Sequence, residues 1–302
     1  MKPICTICST PSPFLMKKDG YDLYRCSACD LVFVSPQPES TFLQDKVYSY
    51  ESGYQSNKKG DFTDAPKDTK TRKIFEYLTE IHPGTEKKNL LDVGCSSGEF
   101  MHYAELQGYS ADGVELNRRT VEVARAHGLN VFHGFLKDAE FADDFFDVIF
   151  LGDIIEHVNS PQELLSECSR VLKKGGTIVI STPNLDCSWS RTTFVLYKLF
   201  KIPWSSVTPP YHLFQFSFEN LNRLMIDTGF SKTREFFLKP PRLMYELGSL
   251  HLLKAYKQSK KLTDLARLIF ACGLYTLFYG FDVILTPLKK KDFSMVVFYK
   301  KN

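Results

Sequence analysis

Short apolar runs alternate along the chain with segments whose apolar positions recur every three to four residues. Leu90-Leu91-Asp92-Val93, Phe146-Asp147-Val148-Ile149-Phe150-Leu151 and Thr177–Ser181 have the length and composition of buried strands. Ala111–Glu115 and Val131–Phe132 are shorter runs of the same kind. Between them, Arg72 to His82 places Ile74, Leu78 and Ile81 on one helical face. Glu99–Gly108, Arg118–His127 and Gln162–Leu172 also read as helices, the last ended by Lys173-Lys174-Gly175-Gly176. A helix around Phe218–Gly229 then precedes strands at Arg234–Leu238 and Met295–Tyr299. Strands alternating with helices predict an α/β fold, a seven-stranded, mainly parallel sheet with crossover helices.

Four stretches fall outside that alternation. Residues 1–35 carry two cysteine pairs around Lys18-Asp19-Gly20-Tyr21, a hairpin turn, and end in the short strand Leu31–Val34. Residues 36–70 form a connector rich in Pro, Ser, Lys and Tyr. Its Tyr48, Tyr50 and Tyr54 read either as a lid over a bound ligand or as anchors packing the first module onto the main domain. From residue 71 to 302 the α/β pattern holds, interrupted by an aromatic insertion at 185–216 and a second insertion at 239–292. In the second, Leu268 to Phe281 is free of charge, a run too short to cross a bilayer, and Asp282 interrupts its extension.

A composition of 43% hydrophobic and 24% charged residues fits a soluble globular protein. The net charge of +3 does not by itself point to a nucleic-acid partner. Its distribution adds more: twelve Lys or Arg against four acids from Lys239 onward leave that part at +8 and the rest at −5. Such asymmetry suits either an anionic surface or a solvated lysine face. Met1-Lys2-Pro3-Ile4-Cys5 offers no apolar run of a secretory signal, so the reading places the eight cysteines in a reducing cytoplasm.

Two cysteine pairs carry the first piece of chemistry. Cys5-x2-Cys8 and Cys26-x2-Cys29 are two knuckles that can complete a tetrahedral four-thiolate zinc site, the competing uses being a redox pair or free thiols. So small a module has little core and depends on the metal to fold. Cys95, Cys168, Cys187 and Cys272 are scattered and read as small packed residues.

The second piece is the loop Asp92-Val93-Gly94-Cys95-Ser96-Ser97-Gly98, followed about 20 residues on by Glu115 at the end of the next strand. Gly94 and Gly98 bracket a tight turn, and Glu115 is placed to accept hydrogen bonds from ribose hydroxyls. The acid just ahead of the first glycine would repel a pyrophosphate and suits a ligand with a cationic part. This loop resembles the first motif of the class I S-adenosylmethionine-dependent methyltransferases. Phe146-Asp147-Val148-Ile149, Asp153-Ile154-Ile155-Glu156-His157-Val158, Leu172-Lys173-Lys174-Gly175-Gly176 and Ser181-Thr182-Pro183-Asn184 extend the likeness to the ubiquinone-biosynthesis type. With the cysteine pairs, the chain also resembles zinc-ribbon methyltransferases of sugar and surface-polysaccharide pathways. Ser96 departs from the family, which usually has a second glycine there.

The resemblance implies a Rossmann-like methyltransferase sheet behind an N-terminal zinc ribbon. It implies S-adenosyl-L-methionine as cofactor, held by Asp92, Gly94, Gly98, Glu115 and Leu116 with Phe135 and Leu151 as walls, and a structural zinc on Cys5, Cys8, Cys26 and Cys29. Arg72 reads either as a partner of the donor's carboxylate or as a solvated helix-start arginine. On the acceptor side the candidates are His157, Glu156 and Asp153 after the fourth strand and His212 in the aromatic insertion. The plainer uses are a helix-start hydrogen bond to backbone for His157, an ordinary structural histidine for His212 and a favourable dipole for Glu156. The leading expectation is methylation, at oxygen or carbon, of a sugar-type small molecule or lipid-linked glycan intermediate. An RNA methyltransferase gripping through the ribbon is the first alternative, disfavoured by the lack of an arginine cluster; a non-catalytic donor-binding scaffold is the second. Residues 239–292 are expected either to lie on the inner face of a membrane or to form a dimer contact.

Overall fold

A computed structural model describes residues 2–39, 60, 62–64, 68–84, 86–239, 243–285 and 292–302. The connector tyrosines Tyr48, Tyr50 and Tyr54 and the lysines Lys289, Lys290 and Lys291 lie outside the described residues. The elements in chain order are β1 (Phe14–Lys18), β2 (Tyr21–Arg25), β3 (Val32–Val34), α1 (Thr69–Ile81), β4 (Asn89–Val93), α2 (Glu99–Leu106), β5 (Ser110–Glu115), α3 (Arg118–Ala126), β6 (Asn130–His133) and β7 (Phe146–Gly152). There follow α4 (Pro161–Val171), β8 (Leu172–Pro183), α5 (Ser188–Phe200), β9 (Phe214–Gln215), α6 (Phe218–Asp227), β10 (Phe230–Leu238), α7 (Leu243–Ser249), α8 (Leu252–Ser259), α9 (Leu262–Leu285) and β11 (Ser294–Lys301). They group into two compact units, 1–36 with 183–221 and 236–295, and 37–182 with 222–235 and 296–302.

Seven strands make the central sheet, in the order β10-β11-β8-β7-β4-β5-β6. β4 pairs in parallel with both β5 and β7, β5 with β6, and β7 with β8. The chain moves outward from β4 through β5 to β6, then returns to the other side of β4 at β7. That reversal opens a crevice beyond the carboxyl ends of β4, β5 and β7, where ligands bind in sheets of this kind. Leu90, Leu91, Val148, Ile149, Ile178 and Val179 are fully buried, which explains why these strands read as continuous apolar runs. Side chains cap the helices that feed the crevice: Asp68 accepts from Thr71 N at the start of α1, and Asn117 from Arg119 N and Thr120 N at the start of α3.

Two strands start earlier than the sequence expectation, β10 at Phe230 rather than Arg234 and β8 at Leu172 rather than Thr177. The Lys-Lys-Gly-Gly segment after α4 is not a loop, because β8 begins at Leu172 and runs twelve residues to Pro183. The register against β7 shifts between Phe146 and Val148, which absorbs the two glycines within the strand.

The other unit is assembled from the three stretches that interrupt or precede the α/β pattern. β1, β2 and β3 form an antiparallel sheet that β9 extends, with Phe33 opposite Phe214. Met16, Leu23, Val32 and Val34 from the cysteine module share one core with Trp204 and Val207 of the aromatic insertion. Lys18 is buried there, and its Nζ donates to the carbonyls of Trp204 at 2.9 Å and Val207 at 2.6 Å. Burial pushes its pKa down to about 8. A second core joins Trp189 and Leu196 of α5 to Ala271 and Tyr275 of α9. The Trp189 indole N–H donates to the buried carboxylate of Glu246 at 2.8 Å. The insertion's tryptophans thus serve this unit's own cores rather than an open pocket wall.

Candidate active site

β4 ends in a loop whose backbone demands its sequence. Gly94 and Gly98 sit at φ +76° and +88°, and a Cβ on Gly94 would run into the Ile154 side chain. Ser96, at φ +52°, holds the same left-handed conformation without being glycine. The loop's amides are used internally. Gly94 and Cys95 donate to the Val114 carbonyl at 2.7 and 3.1 Å, Ser96 to Glu115 Oε2 at 2.8 Å, and Gly98 to the Cys95 carbonyl at 2.9 Å. Amides committed in this way are unsuited to gripping a pyrophosphate, in agreement with the acid at position 92.

Two carboxyl groups lie beneath the loop. Asp92 is 3% exposed, and burial, with Glu115 and Glu99 nearby, pushes its pKa up to about 8. Glu115 is buried too, and its pKa is raised by that burial despite hydrogen bonds from the amides of Asn117, at 2.7 Å, and Ser96. Each of its oxygens keeps a lone pair for a further donor. Two destabilised acids side by side favour a cation. S-adenosylmethionine, with an ammonium, a sulfonium and a ribose diol, fits that demand. Leu116 and Phe135, 37% and 39% exposed, offer apolar surface at the end of β5 and after β6 that suits an adenine ring. Leu151 is fully buried within β7 and presents no surface to a ligand. Arg72 is exposed and faces Glu76 along α1 at 3.9 Å, the solvated arrangement.

A second polar cluster occupies the ends of β7 and β8. Asp153, strained at φ +57°, accepts from Lys70 Nζ at 2.7 Å and from the Ser181 hydroxyl at 2.9 Å. Burial would raise its pKa, but Lys70 and Ser181 together hold it below the usual carboxylate range. Glu156 is 1% exposed, and burial followed by the Asp153 charge pushes its pKa up to about 8. His157 Nε2 lies 3.9 Å from Glu156 Oε1. The structure therefore brings Asp153, Glu156 and His157 together. It adds Lys70 and Ser181, which sequence reasoning missed, Lys70 because it belongs to no motif and sits at the first turn of α1. His212 belongs to the other unit, just ahead of β9, where its carbonyl accepts from the Gln215 side chain at 3.1 Å.

In that unit the sulfurs of Cys5, Cys8, Cys26 and Cys29 all lie within 4.8 Å of one another. Cys5–Cys29, Cys8–Cys26 and Cys8–Cys29 are 3.5, 3.3 and 3.7 Å apart. Sulfurs about 2.3 Å from a tetrahedral zinc are separated by roughly 3.8 Å, so the four thiols are gathered at the scale of such a site.

The general methyltransferase domain model matches residues 67–235, more than half of the chain. The chain belongs to the methyltransferase domain family. Its fold is that of the class I S-adenosylmethionine-dependent enzymes. A ubiquinone biosynthesis O-methyltransferase of Vibrio atlanticus is 31% identical over 117 residues, covering 36% of this chain and 49% of that protein. The chain thus spans about half the length of the curated relatives it matches. Among solved structures, an S-adenosylmethionine-dependent methyltransferase from Archaeoglobus fulgidus aligns with a TM-score of 0.51 at 17% identity, over 83% of this chain and 100% of that one. The Haemonchus contortus phosphoethanolamine N-methyltransferase 2 in complex with S-adenosyl-L-methionine gives 0.54 at 18%, over 89% and 61%. At such identities the likeness concerns the fold.

Proposed function

We propose that the chain transfers the methyl group of S-adenosylmethionine to a small molecule, a sugar-type compound or lipid-linked glycan intermediate. The observation that carries the donor is the pair of buried acids, Asp92 and Glu115, beneath a loop whose amides are already committed. When bound, the donor supplies an electrophilic methyl group on its sulfonium. The chain's residues then have to align the acceptor and, for a hydroxyl or carbon acid, take its proton.

Within the β7–β8 cluster the roles divide by charge. Asp153, ionised beside Lys70, fixes the strand end and can orient a hydroxyl. Glu156, neutral up to about pH 8, is the poorer base near neutrality. His157 is the proton acceptor we favour, with His212 as a second candidate on the acceptor side. The relatives named for ubiquinone biosynthesis support a small-molecule acceptor, and the resemblance to zinc-ribbon methyltransferases of sugar pathways is what favours a sugar-type one. The ribbon's basic groups argue against RNA as acceptor. Lys18 is buried, Lys17 faces Asp22 at 3.4 Å, and Arg25 is bridged to Asp30 at 2.9 Å. The reading keeps the protein in the cytoplasm, with zinc as a structural metal.

The deciding experiment supplies methyl-labelled donor with nucleotide-activated sugars, polyprenyl-linked glycans, quinol precursors and total RNA. Label in a sugar or lipid-linked fraction supports the proposal. Label confined to RNA, or donor binding with no transfer to any fraction, overturns it.

A further inference from the structure

The long helix α9 packs into its own unit along one side only. Ala271 and Tyr275 are fully buried, with the Tyr275 ring edge-on to Trp189 at 5.5 Å. On the remaining sides the exposed positions from Leu262 to Ile284 are uncharged except for Arg267. Arg267 itself is turned back to the Lys201 carbonyl at 2.6 Å. Ile269, Leu277, Phe281 and Ile284 are 64%, 55%, 55% and 72% exposed. The face continues onto α5, where Leu199 is 68% exposed and Phe200 meets Phe270 edge-on at 5.4 Å. A 24-residue helix is about 36 Å long, so this is a far larger apolar surface than a single exposed leucine.

Lysines border the face. Lys198 and Lys201 are exposed on and after α5, and Lys254, Lys257, Lys260 and Lys261 on and after α8. Neither α5 nor α8 carries an acid, and of the two on α9 Asp282 is buried and accepts from the Ser188 hydroxyl at 2.8 Å, while Asp264, half-buried in the first turn, accepts from the Ser259 hydroxyl.

We propose that the α5–α9 face is a docking surface for an anionic phospholipid bilayer, with α9 lying in the plane of the interface. The apolar stripe provides the insertion and the lysine border matches the charge of the headgroups. A second copy of the chain is a poorer occupant, because a twofold contact over this face would bring lysine borders toward one another. Length alone would let α9 cross a bilayer. Crossing would strip Tyr275 from Trp189 and carry Asp282 into hydrocarbon, so the in-plane arrangement is the one these contacts support. The proposal rests on this unit alone and not on the acceptor named above. It deepens that reading by holding the enzyme at a surface where lipid-linked acceptors reside.

Flotation of the full chain with phosphatidylglycerol–phosphatidylcholine vesicles, and with phosphatidylcholine alone, tests it without turnover. Donor binding is followed in the same samples, so failure of the membrane proposal is distinguishable from failure of the methyltransferase reading. We expect partitioning to the anionic vesicles at least tenfold above the neutral ones, falling as salt rises. Leu277→Ser with Phe281→Ser should abolish it, and each of Lys257→Ala and Lys260→Ala should lower it about fivefold, with donor binding retained. Equal partitioning to both vesicle types, or a salt-insensitive dimer that floats with neither, overturns the proposal.

Discussion

Glu115 Oε2 accepts the backbone N–H of Ser96 at 2.8 Å, so the acid at the end of β5 also holds the glycine loop after β4 in shape. The carboxylate we propose for the ribose thus also shapes the loop, and the strained residue of the loop is the one it grips. Ser96→Gly separates them. Glycine adopts the left-handed backbone without the cost of roughly 1–2 kcal/mol that serine bears, and the change removes a buried hydroxyl that has no hydrogen-bond partner among the described residues. The gain is partly offset by the freer unfolded chain. We expect a net stabilisation of about 1 kcal/mol by denaturant unfolding, whereas a loss of that size would assign the serine a stabilising contact.

Asp92 sets a pH dependence with a definite sign. The unfolded chain ionises this residue near 3.8, while burial keeps the folded carboxyl neutral up to about pH 8. Its contribution to stability is therefore complete below pH 4, and is lost as pH rises through 8. Glu156, with a pKa of about 8, adds in the same direction. Thermal unfolding of the ligand-free protein from pH 5 to 9 should show a decline that Asp92→Asn flattens. An identical slope in the variant would mean Asp92 is already ionised.

The cysteine cluster predicts about one zinc per chain, with Cys26→Ser lowering metal content while donor binding persists. Because Val32 and Val34 share a core with Trp204 and Val207, loss of the metal should loosen more than the first 36 residues. Limited proteolysis of the chelated protein should open cleavage in 183–221 as well. Metal analysis near zero in protein prepared without chelator contradicts the site.

Lys70→Met removes the partner of a strained, ionised Asp153. Asp153 is 44% exposed, so solvent screens much of the loss, and the stability cost should stay near 1–2 kcal/mol. His157→Ala should lower turnover by about 10²–10⁴ with donor affinity retained, the signature of a lost proton acceptor. If it keeps full rate, His212→Ala is the next variant to measure.

The sheet was legible because its central strands are buried on both faces and so read as uninterrupted apolar runs. The tight turn after β4 was legible because a left-handed backbone restricts residue choice at Gly94 and Gly98. Other features escaped for reasons that lie in three dimensions. Lys173 to Gly176 reads as a stop, yet those residues extend β8, since a register shift against β7 accommodates them. The charge-free run from Leu268 understates α9, because Ser188 of another segment satisfies Asp282 inside the helix. Lys70 carries no local signature, and its role exists only where α1 meets the ends of β7 and β8.

Calorimetric titration of S-adenosylmethionine into the native protein and into Glu115→Ala tests the central claim most directly. The account predicts saturable, one-to-one binding to the native chain. In the variant, loss of charge-assisted hydrogen bonds worth about 1.5–3 kcal/mol should weaken binding roughly tenfold to over a hundredfold. No binding to the native protein, or equal affinity in the two, would contradict it.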